Sequence, residues 1–249
     1  MLSIPYTGSD PLTLSLCLNK ARTKEVLSYH KINTPQFLVA DSINSLENFQ
    51  LTFPVIVKPI AEGSSKGIFN SSYVESIDKL SAFLNENLSK YLQPFIIEEF
   101  LPGREFTAAI IGNNNDTVVL PLVEINYTEL PDHIHPIYSF EAKWIYDTSA
   151  NPLDIFTCPA KLPESLEREI KDLAIKTYDV LNCKDWSRID IRLDKNGKPA
   201  IIEVNPIPGI LPNPEDNSCF PKAAKAQGIS YVELVNKVLD AAAERHGLI

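Results

Sequence analysis

No stretch of this sequence approaches the roughly 18 consecutive apolar residues that a membrane-spanning helix requires. The N-terminus lacks the basic flank, apolar core and small-residue cleavage site of a secretory signal. Its four cysteines, Cys17, Cys158, Cys183 and Cys219, are scattered, with no Cys-x-x-Cys pair. That argues against a disulfide framework or a thiolate metal site, and fits free buried thiols in a cytoplasmic, reducing setting. A Gly-x-x-x-x-Gly-Lys-Ser/Thr loop and a glycine-rich strand-to-helix fingerprint are both missing, which excludes the P-loop NTPase and dinucleotide-binding folds. Basic charge is in the minority: 23 Lys and Arg against 32 Asp and Glu leave a net charge of −9. There is thus no footprint for nucleic acid, although a local basic pocket for a small polyanion remains compatible. No internal repeat or low-complexity segment is present. His133 and His135 have the spacing to reach one metal from an extended strand, but with no third ligand and with Pro131 and Pro136 beside them they read as solvated loop.

What is there describes one large domain or two closely packed lobes, since 249 residues with 44% hydrophobic content can bury a sizeable core. Asp10-Pro11 predicts a helix start, running to about His30. Phe37-Leu38-Val39 predicts a strand, Ser42 a brief helix, and Pro54 to Pro59 a buried strand. The segment Glu62-Gly63-Ser64-Ser65-Lys66-Gly67 is flexible, with Ile68 and Phe69 extended beyond it. Ile77, Leu80, Phe83, Leu84 and Leu88 are at helical spacing, and Phe95 to Phe100 is a strand. Glu105 to Ile111 and Thr117 to Ile125 form a hairpin around Gly112, and residues 127 to 160 are proline-rich and irregular. Leu166, Ile170, Leu173, Ala174, Thr177 and Leu181 mark an amphipathic helix. Beyond a proline-rich loop from Pro206, Pro221 to Gln227 is helical, and Ser230-x-x-Glu233 is a capping box opening the last helix. The order predicts an α+β protein of two lobes.

The most informative stretch runs from Ser187 to Asn205, two alternating segments around Asp194-Lys195-Asn196-Gly197, the strongest short-range hairpin signal. With Asn196-Gly197 as a two-residue turn, Lys195 faces Lys198, Asp190 faces Glu203 and Arg188 faces Asn205. Arg188, Asp190, Glu203 and Asn205 then share one face, and Ile189, Ile191, Leu193, Ile202 and Val204 share the core face. Two carboxylates directly opposite each other cost stability unless compensated. Two readings fit: a hard divalent cation held with substrate phosphates, or a solvated acidic face neutralised by Arg188 and Arg192.

Other segments suit a nucleotide. Lys58 ends a buried strand just before the Ser64-Ser65 loop, whose closely spaced N–H groups and hydroxyls can wrap phosphate oxygens. Glu98, Glu99 and Glu105 bracket Phe100-Leu101-Pro102-Gly103, which reads either as an exposed acidic edge or as a purine slot with a carboxylate for the ribose. Lys143 lies in the irregular region.

Taken in order, Pro5-Tyr6-Thr7-Gly8-Ser9, Lys20-Ala21-Arg22-Thr23-Lys24, Ile56-Val57-Lys58-Pro59 with Glu62 to Ser65, Glu98 to Thr107, Glu141-Ala142-Lys143, Arg188-Ile189-Asp190 and Glu203 to Gly209 resemble the ATP-grasp domain of the D-alanine–D-alanine ligase family. The resemblance spans nearly the whole chain. It implies an ATP-grasp fold of two α+β lobes with the nucleotide between them: a linker helix region at 1–24, a smaller lobe at 25–103 and a larger lobe at 104–249. It implies an ATP-dependent carboxylate–amine ligase that forms a peptide or amide bond through an acyl phosphate. Lys20, Lys58 and Lys143 would touch the ATP phosphates, and Ser64 and Ser65 would close over them. Glu98, Phe100 and Leu101 would line the adenine slot, and Glu105 would hold the ribose. Asp190, Glu203 and Asn205 would bind magnesium or manganese. Arg188 would act at the reacting groups together with Ser64 and Lys143, and Gly209 and Ser218 would complete the substrate side.

The family places an N-terminal domain ahead of this region, carrying a glutamate for the first substrate's amine that has no counterpart in this sequence. Trp144 stands where the family has a tyrosine, and the loop from Ile210 to Asn217 reads longer than usual. The partners implied are ATP and small amino-acid or peptide substrates, without nucleic acid or membrane. A homodimer, or a separate chain supplying the N-terminal domain, is compatible with this. The competing readings are a nucleotide-binding chain without catalysis and an ATP-grasp kinase.

Overall fold

The computed structural model describes residues 4–147, 153–213 and 217–249. Asp10 caps the first helix, its Oδ1 accepting from Thr13 N at 2.8 Å, with Pro11 at the first helical position. The single helix expected to continue to His30 is two, α1 (Pro11–Leu18) and α2 (Lys20–Tyr29). Asn19 makes the break. Its backbone is extended (φ −85°, ψ 99°) and its side chain accepts from Arg22 N at 3.1 Å. Asparagine gains more as a cap than in a helix interior, where its amide competes with the backbone. The break frees the Lys20 N–H to donate to Ile60 O at 3.0 Å.

A four-stranded antiparallel sheet follows, formed by β1 (Phe37–Ala40), β2 (Val55–Pro59), β3 (Tyr73–Val74) and β4 (Phe95–Glu99) in the order β1-β4-β2-β3. The helix α3 (Ile77–Tyr91) lays Leu80, Phe83 and Leu84 against Val57, Phe95 and Ile97. Ile68 and Phe69 are not a strand. A 3-10 turn over Asn70–Ser72, tied by Phe69 N to Ser72 Oγ at 3.0 Å, delays the edge strand to Tyr73. The brief helix at Ser42 is likewise a 3-10 turn, Ile43–Asn48.

The second sheet has six strands: β5 (Glu105–Ile111), β6 (Val118–Val119), β7 (Val123–Ile125), β8 (Phe156–Thr157), β9 (Trp186–Leu193) and β10 (Pro199–Asn205). Their order is β10-β9-β5-β7-β8, with β6 also paired to β5. The central strand β5 is buried along its whole length. Its Phe106, Ala108 and Ile110 face the amphipathic helix α4 (Glu164–Val180), which presents Ile170, Ala174 and Tyr178. On the opposite face Ala109 and Ile111 lie under Phe220, Ala223 and Ala224 of α5 (Cys219–Ala226) and Leu234 of α6 (Tyr231–Arg245). Side-chain alternation along β5 therefore divides the core in two. Both halves of the capping box at Ser230 and Glu233 are formed. Leu27 and Ile32, within the stretch assigned from sequence to the smaller lobe, are buried in the larger sheet's core, so the chain crosses to the smaller sheet only after them.

The N-terminal segment is fastened to α6 through Asp185, whose side chain is fully buried. Arg245 donates two hydrogen bonds to it at 2.9 and 2.8 Å, Gly8 N one at 2.7 Å and Asn113 Nδ2 one at 2.9 Å. Burial alone would raise the Asp185 carboxyl, but these donors outweigh it and hold it below its ordinary value. Its contribution to stability is fully present above the unfolded value of about 3.9 and is lost as pH falls through the lower folded value. Asp185→Asn should lower the urea midpoint at pH 7 and flatten the acid limb below pH 4. Midpoints that run parallel to those of the wild type down to pH 2.5 would refute this role.

Candidate active site

The hairpin of β9 and β10 carries the centre of the site, with a register more complex than the sequence suggested. Near the turn Leu193 pairs with Pro199, Arg192 with Ala200 and Ile191 with Ile201. The turn has three residues rather than two: Asp194 N donates to Lys198 O at 2.9 Å, and Gly197 takes φ +77°. Lys195 consequently does not face Lys198. A bulge at Ile202 then shifts the register, and beyond it Asp190 faces Glu203 and Arg188 faces Asn205, as expected. The bulge also exchanges the isoleucines. Ile201 enters the core and Ile202 lines the cavity, the reverse of what strict alternation predicted.

A cavity of about 360 Å³ opens between the two sheets, within the size range of small-molecule sites. Lys58, Glu98, Phe100 and Leu101 line it from the smaller sheet, Ser64 and Ser65 from the loop after β2. The larger sheet contributes Glu105, Arg188, Asp190, Glu203 and Asn205, and the surrounding loops add Lys143, Gly209 and Ser218. Of the residues singled out from sequence, only Lys20 stands behind the wall. It is buried, with Nζ 3.1 Å from Glu203 Oε1 and donating to Glu62 O.

Charge is closely paired across this cavity. Arg188 donates twice to Asp190, each at 2.9 Å, and Asn205 Nδ2 donates to the same carboxylate at 3.1 Å. Burial raises the Asp190 carboxyl despite Arg188, whereas Glu203 is held low because Lys20, Lys58 and Arg188 outweigh its burial. Lys58 Nζ donates to Glu98 Oε2 at 2.9 Å, and Lys24 Nζ lies 3.5 Å from Glu98 Oε1. Burial disfavours the Glu98 carboxylate, but Lys24 and Lys58 hold it below its ordinary value. Its Oε1 accepts no hydrogen bond from protein, which leaves a buried acceptor at the cavity wall. Arg192 pairs with Glu105 at 2.9 Å and stacks over the Phe100 ring at 4.6 Å. It therefore belongs with the Phe100 slot and not with the acids of the hairpin.

Two loops close over the opening. Ser64 and Ser65 both take left-handed backbone (φ +58° and +59°), a conformation costing non-glycine residues on the order of 1–3 kcal/mol each. They are held there from across the cleft. Ser65 Oγ donates to Tyr138 O at 2.8 Å, Lys143 Nζ to Ser64 Oγ at 3.2 Å and Trp144 Nε1 to Ser64 O at 3.3 Å. Trp144, which lacks a phenol, thus serves as an N–H donor to the loop. Ser218 is buried; its hydroxyl donates to Gly209 O at 3.2 Å and accepts from Leu211 N at 3.3 Å, closing the loop before α5. Residues 214–216 of that loop, and 148–152 of the irregular region, lie outside the described residues.

Among the described residues no group of three histidines, cysteines or carboxylates could hold a metal. His135 stacks on the Tyr73 ring at 4.0 Å instead. Asp190, Glu203 and Asn205 nevertheless form an all-oxygen donor set facing the cavity, and such a set suits a hard cation shared with phosphate oxygens. The sequence did not assign Arg192 to Glu105 or Lys24 to Glu98, although each residue carried a signal. Arg192 has the parity of Arg188 and Asp190 on one strand, and Lys24 is one helical turn from Lys20. Nothing comparable announced Ile202.

Two antiparallel sheets gripping a cleft, with Lys58 reaching in from one lobe and paired acids from the other, define an ATP-grasp protein. The chain belongs to the D-alanine–D-alanine ligase family: residues 21–240 match the family model described as the C-terminus of D-ala D-ala ligase. It is 35% identical over 246 residues to a D-alanine–D-alanine ligase of Nitrosomonas eutropha, covering 98% of this chain and 73% of the relative. Among solved structures, the D-alanine–D-alanine ligase of Bacillus anthracis is similar with a TM-score of 0.74 at 26% identity, covering 99% of this chain and 74% of that one. The D-Ala:D-Ser ligase VanG of Enterococcus faecalis is similar with a TM-score of 0.75 at 25% identity, covering 96% of this chain and 65% of that one. The class is that of ATP-dependent carbon–nitrogen ligases, which join a carboxylate to an amine. No helix among the described residues is long and apolar enough to cross a membrane.

Proposed function

We propose that this site activates the carboxylate of a small amino acid with ATP and passes the acyl group to the amine of a second one, D-alanine or a close analogue. The observation carrying this reading is the convergence of Lys58, Lys143 and Arg188 with Asp190, Glu203 and Asn205 on one cavity roofed by Ser64 and Ser65. Such a set neutralises phosphates and excludes water, the two demands of the reaction. In the first step a carboxylate oxygen attacks the γ-phosphorus, the bond to ADP breaks and an acyl phosphate forms. Phosphoryl transfer needs positioning and charge neutralisation more than covalent help, and Lys58 and Lys143 supply that. In the second step the amine attacks the acyl carbon, loses its proton, and phosphate leaves. Arg188, held toward Asp190, is aimed at the oxygens that gain charge in both steps. The acyl phosphate hydrolyses readily, so a roof pinned by Tyr138, Lys143 and Trp144 serves to keep water out.

Phe100, Leu101 and Ile202 give the adenine an apolar slot, Glu98 Oε1 offers an acceptor for its amino group, and Glu105 faces the ribose. Asp190, Glu203 and Asn205 would hold magnesium or manganese, which would supply positive charge to neutralise the phosphates. Lys20 acts behind Glu203, orienting it and adding positive potential toward the phosphates. Gly209 and Ser218 border the acceptor. The test is phosphate release with ATP, magnesium and a panel of amino acids. Release that requires both a carboxylate and an amine is expected. Release indifferent to any acceptor, or transfer of phosphate to an alcohol, would overturn the ligase reading.

A further inference from the structure

The acids of the site share a face only because of the Ile202 bulge. Had the register set at the turn continued, Asp190 would face Ile202 and Arg188 would face Val204. Glu203 and Asn205 would then point with Ile189 and Ile191 into the core, since a one-residue slip turns every side chain over. The bulge restores the parity, but it leaves ladder groups without strand partners, and β10 is an edge strand whose outer side is otherwise bare. The segment after α2 covers that side. Ile201 N donates to Asn33 O at 2.8 Å, and Thr34 Oγ1 donates to Ile201 O at 2.9 Å. Lys24 Nζ donates to Thr34 Oγ1 at 2.9 Å and lies 3.5 Å from Ile201 O and 3.4 Å from Ile202 O. Ile202, the unpaired residue, thus turns its carbonyl toward a lysine that is 2% exposed. A buried ammonium is costly unless its donors are used, and here two carbonyls, a hydroxyl and the Glu98 carboxylate surround it.

We propose that Lys24 and Thr34 are positioning residues for the cation site: they clamp the Ile202 bulge and so keep Glu203 and Asn205 on the face of Asp190. The inference rests on Asp190, Glu203 and Asn205 being the cation's ligands. Partners outside the ligand shell change metal affinity about 10–100-fold when removed.

The test is Mn2+ binding to the full chain in the presence of ATP, followed by electron paramagnetic resonance, with near-ultraviolet circular dichroism as the control for folding. Thr34→Val keeps the volume and removes the hydroxyl. It should weaken Mn2+ binding about tenfold, and Thr34→Ser should restore it. Lys24→Gln, which cannot reach both carbonyls, is the second variant and should show a similar loss. If Asp190→Asn loses Mn2+ while folded Thr34→Val or Lys24→Gln binds it as the wild type does, the clamp is overturned and the ligand assignment stands. If Asp190→Asn binds Mn2+ normally, or the wild type does not bind it, the assignment falls and the clamp with it.

Discussion

Asp190→Asn combined with Glu203→Gln should reduce ATP-dependent ligation by at least about three orders of magnitude while leaving the fold intact. Cation stabilisation of a transferring phosphoryl group amounts to several kcal/mol, and each 1.4 kcal/mol is about a factor of ten in rate. The substitutions keep shape but halve the acceptors, so Arg188 retains one of its two bonds at the position of Asp190, and Lys20 retains an acceptor at Glu203. Both carboxylates also lose their mutual repulsion, the destabilising feature of their opposed register. The melting temperature should therefore hold or change little. The measurement is initial rate against magnesium concentration at saturating ATP, beside a thermal melt. A rate within tenfold of the wild type would show that the acid pair is a charged surface and not a cation site.

Arg188→Met separates a role in binding from a role in the transition state. Arg188 occupies Asp190 through a bidentate pair, with one guanidinium edge turned to the cavity. Removing it takes away a cation aimed at developing charge, and the loss of one such donor is worth on the order of 10²–10³ in kcat. The same change releases Asp190 from competition with the guanidinium, so Mn2+ affinity should stay level or tighten. The expected pattern is a large fall in kcat, a nearly unchanged KM for ATP and intact metal binding. A rise in the KM for ATP with kcat preserved would instead make Arg188 a phosphate-binding residue of the ground state. Breaking a buried pair can destabilise by about 3–5 kcal/mol when the remaining charge is sealed from water. Asp190 borders an open cavity, so the penalty here should fall well short of that.

Much of the site was legible because its groups sit in locally determined elements. Asp190 and Glu203 lie on strands whose alternation is visible, Lys58 ends an apolar run, and the serines of 64 and 65 follow it. The register of the hairpin was readable at the acids and wrong at the turn, a compensation of two one-residue differences that no local pattern encodes. The break at Asn19 was missed because helix propensity on either side is favourable, and the competing cap is decided by a single amide. One of the two readings of the hairpin set Arg192 against its acids, because three carboxylates lay within plausible reach. Only the pairing of β5 with β9 sets Glu105 opposite it.

The sequence by itself determined the α+β class, the order of the longer helices and strands, and which residues have the chemistry to meet a nucleotide, because periodicity and residue type act over a few neighbours. Tertiary structure alone decided that fourteen positions stretching from Lys58 to Ser218 would face one cavity, and that Lys20 would stand behind it. It also decided that β10 would carry a bulge. These outcomes depend on how two sheets and the segment from Asn33 to Thr34 pack together, and the groups that settle them are more than a hundred and sixty residues apart in the chain.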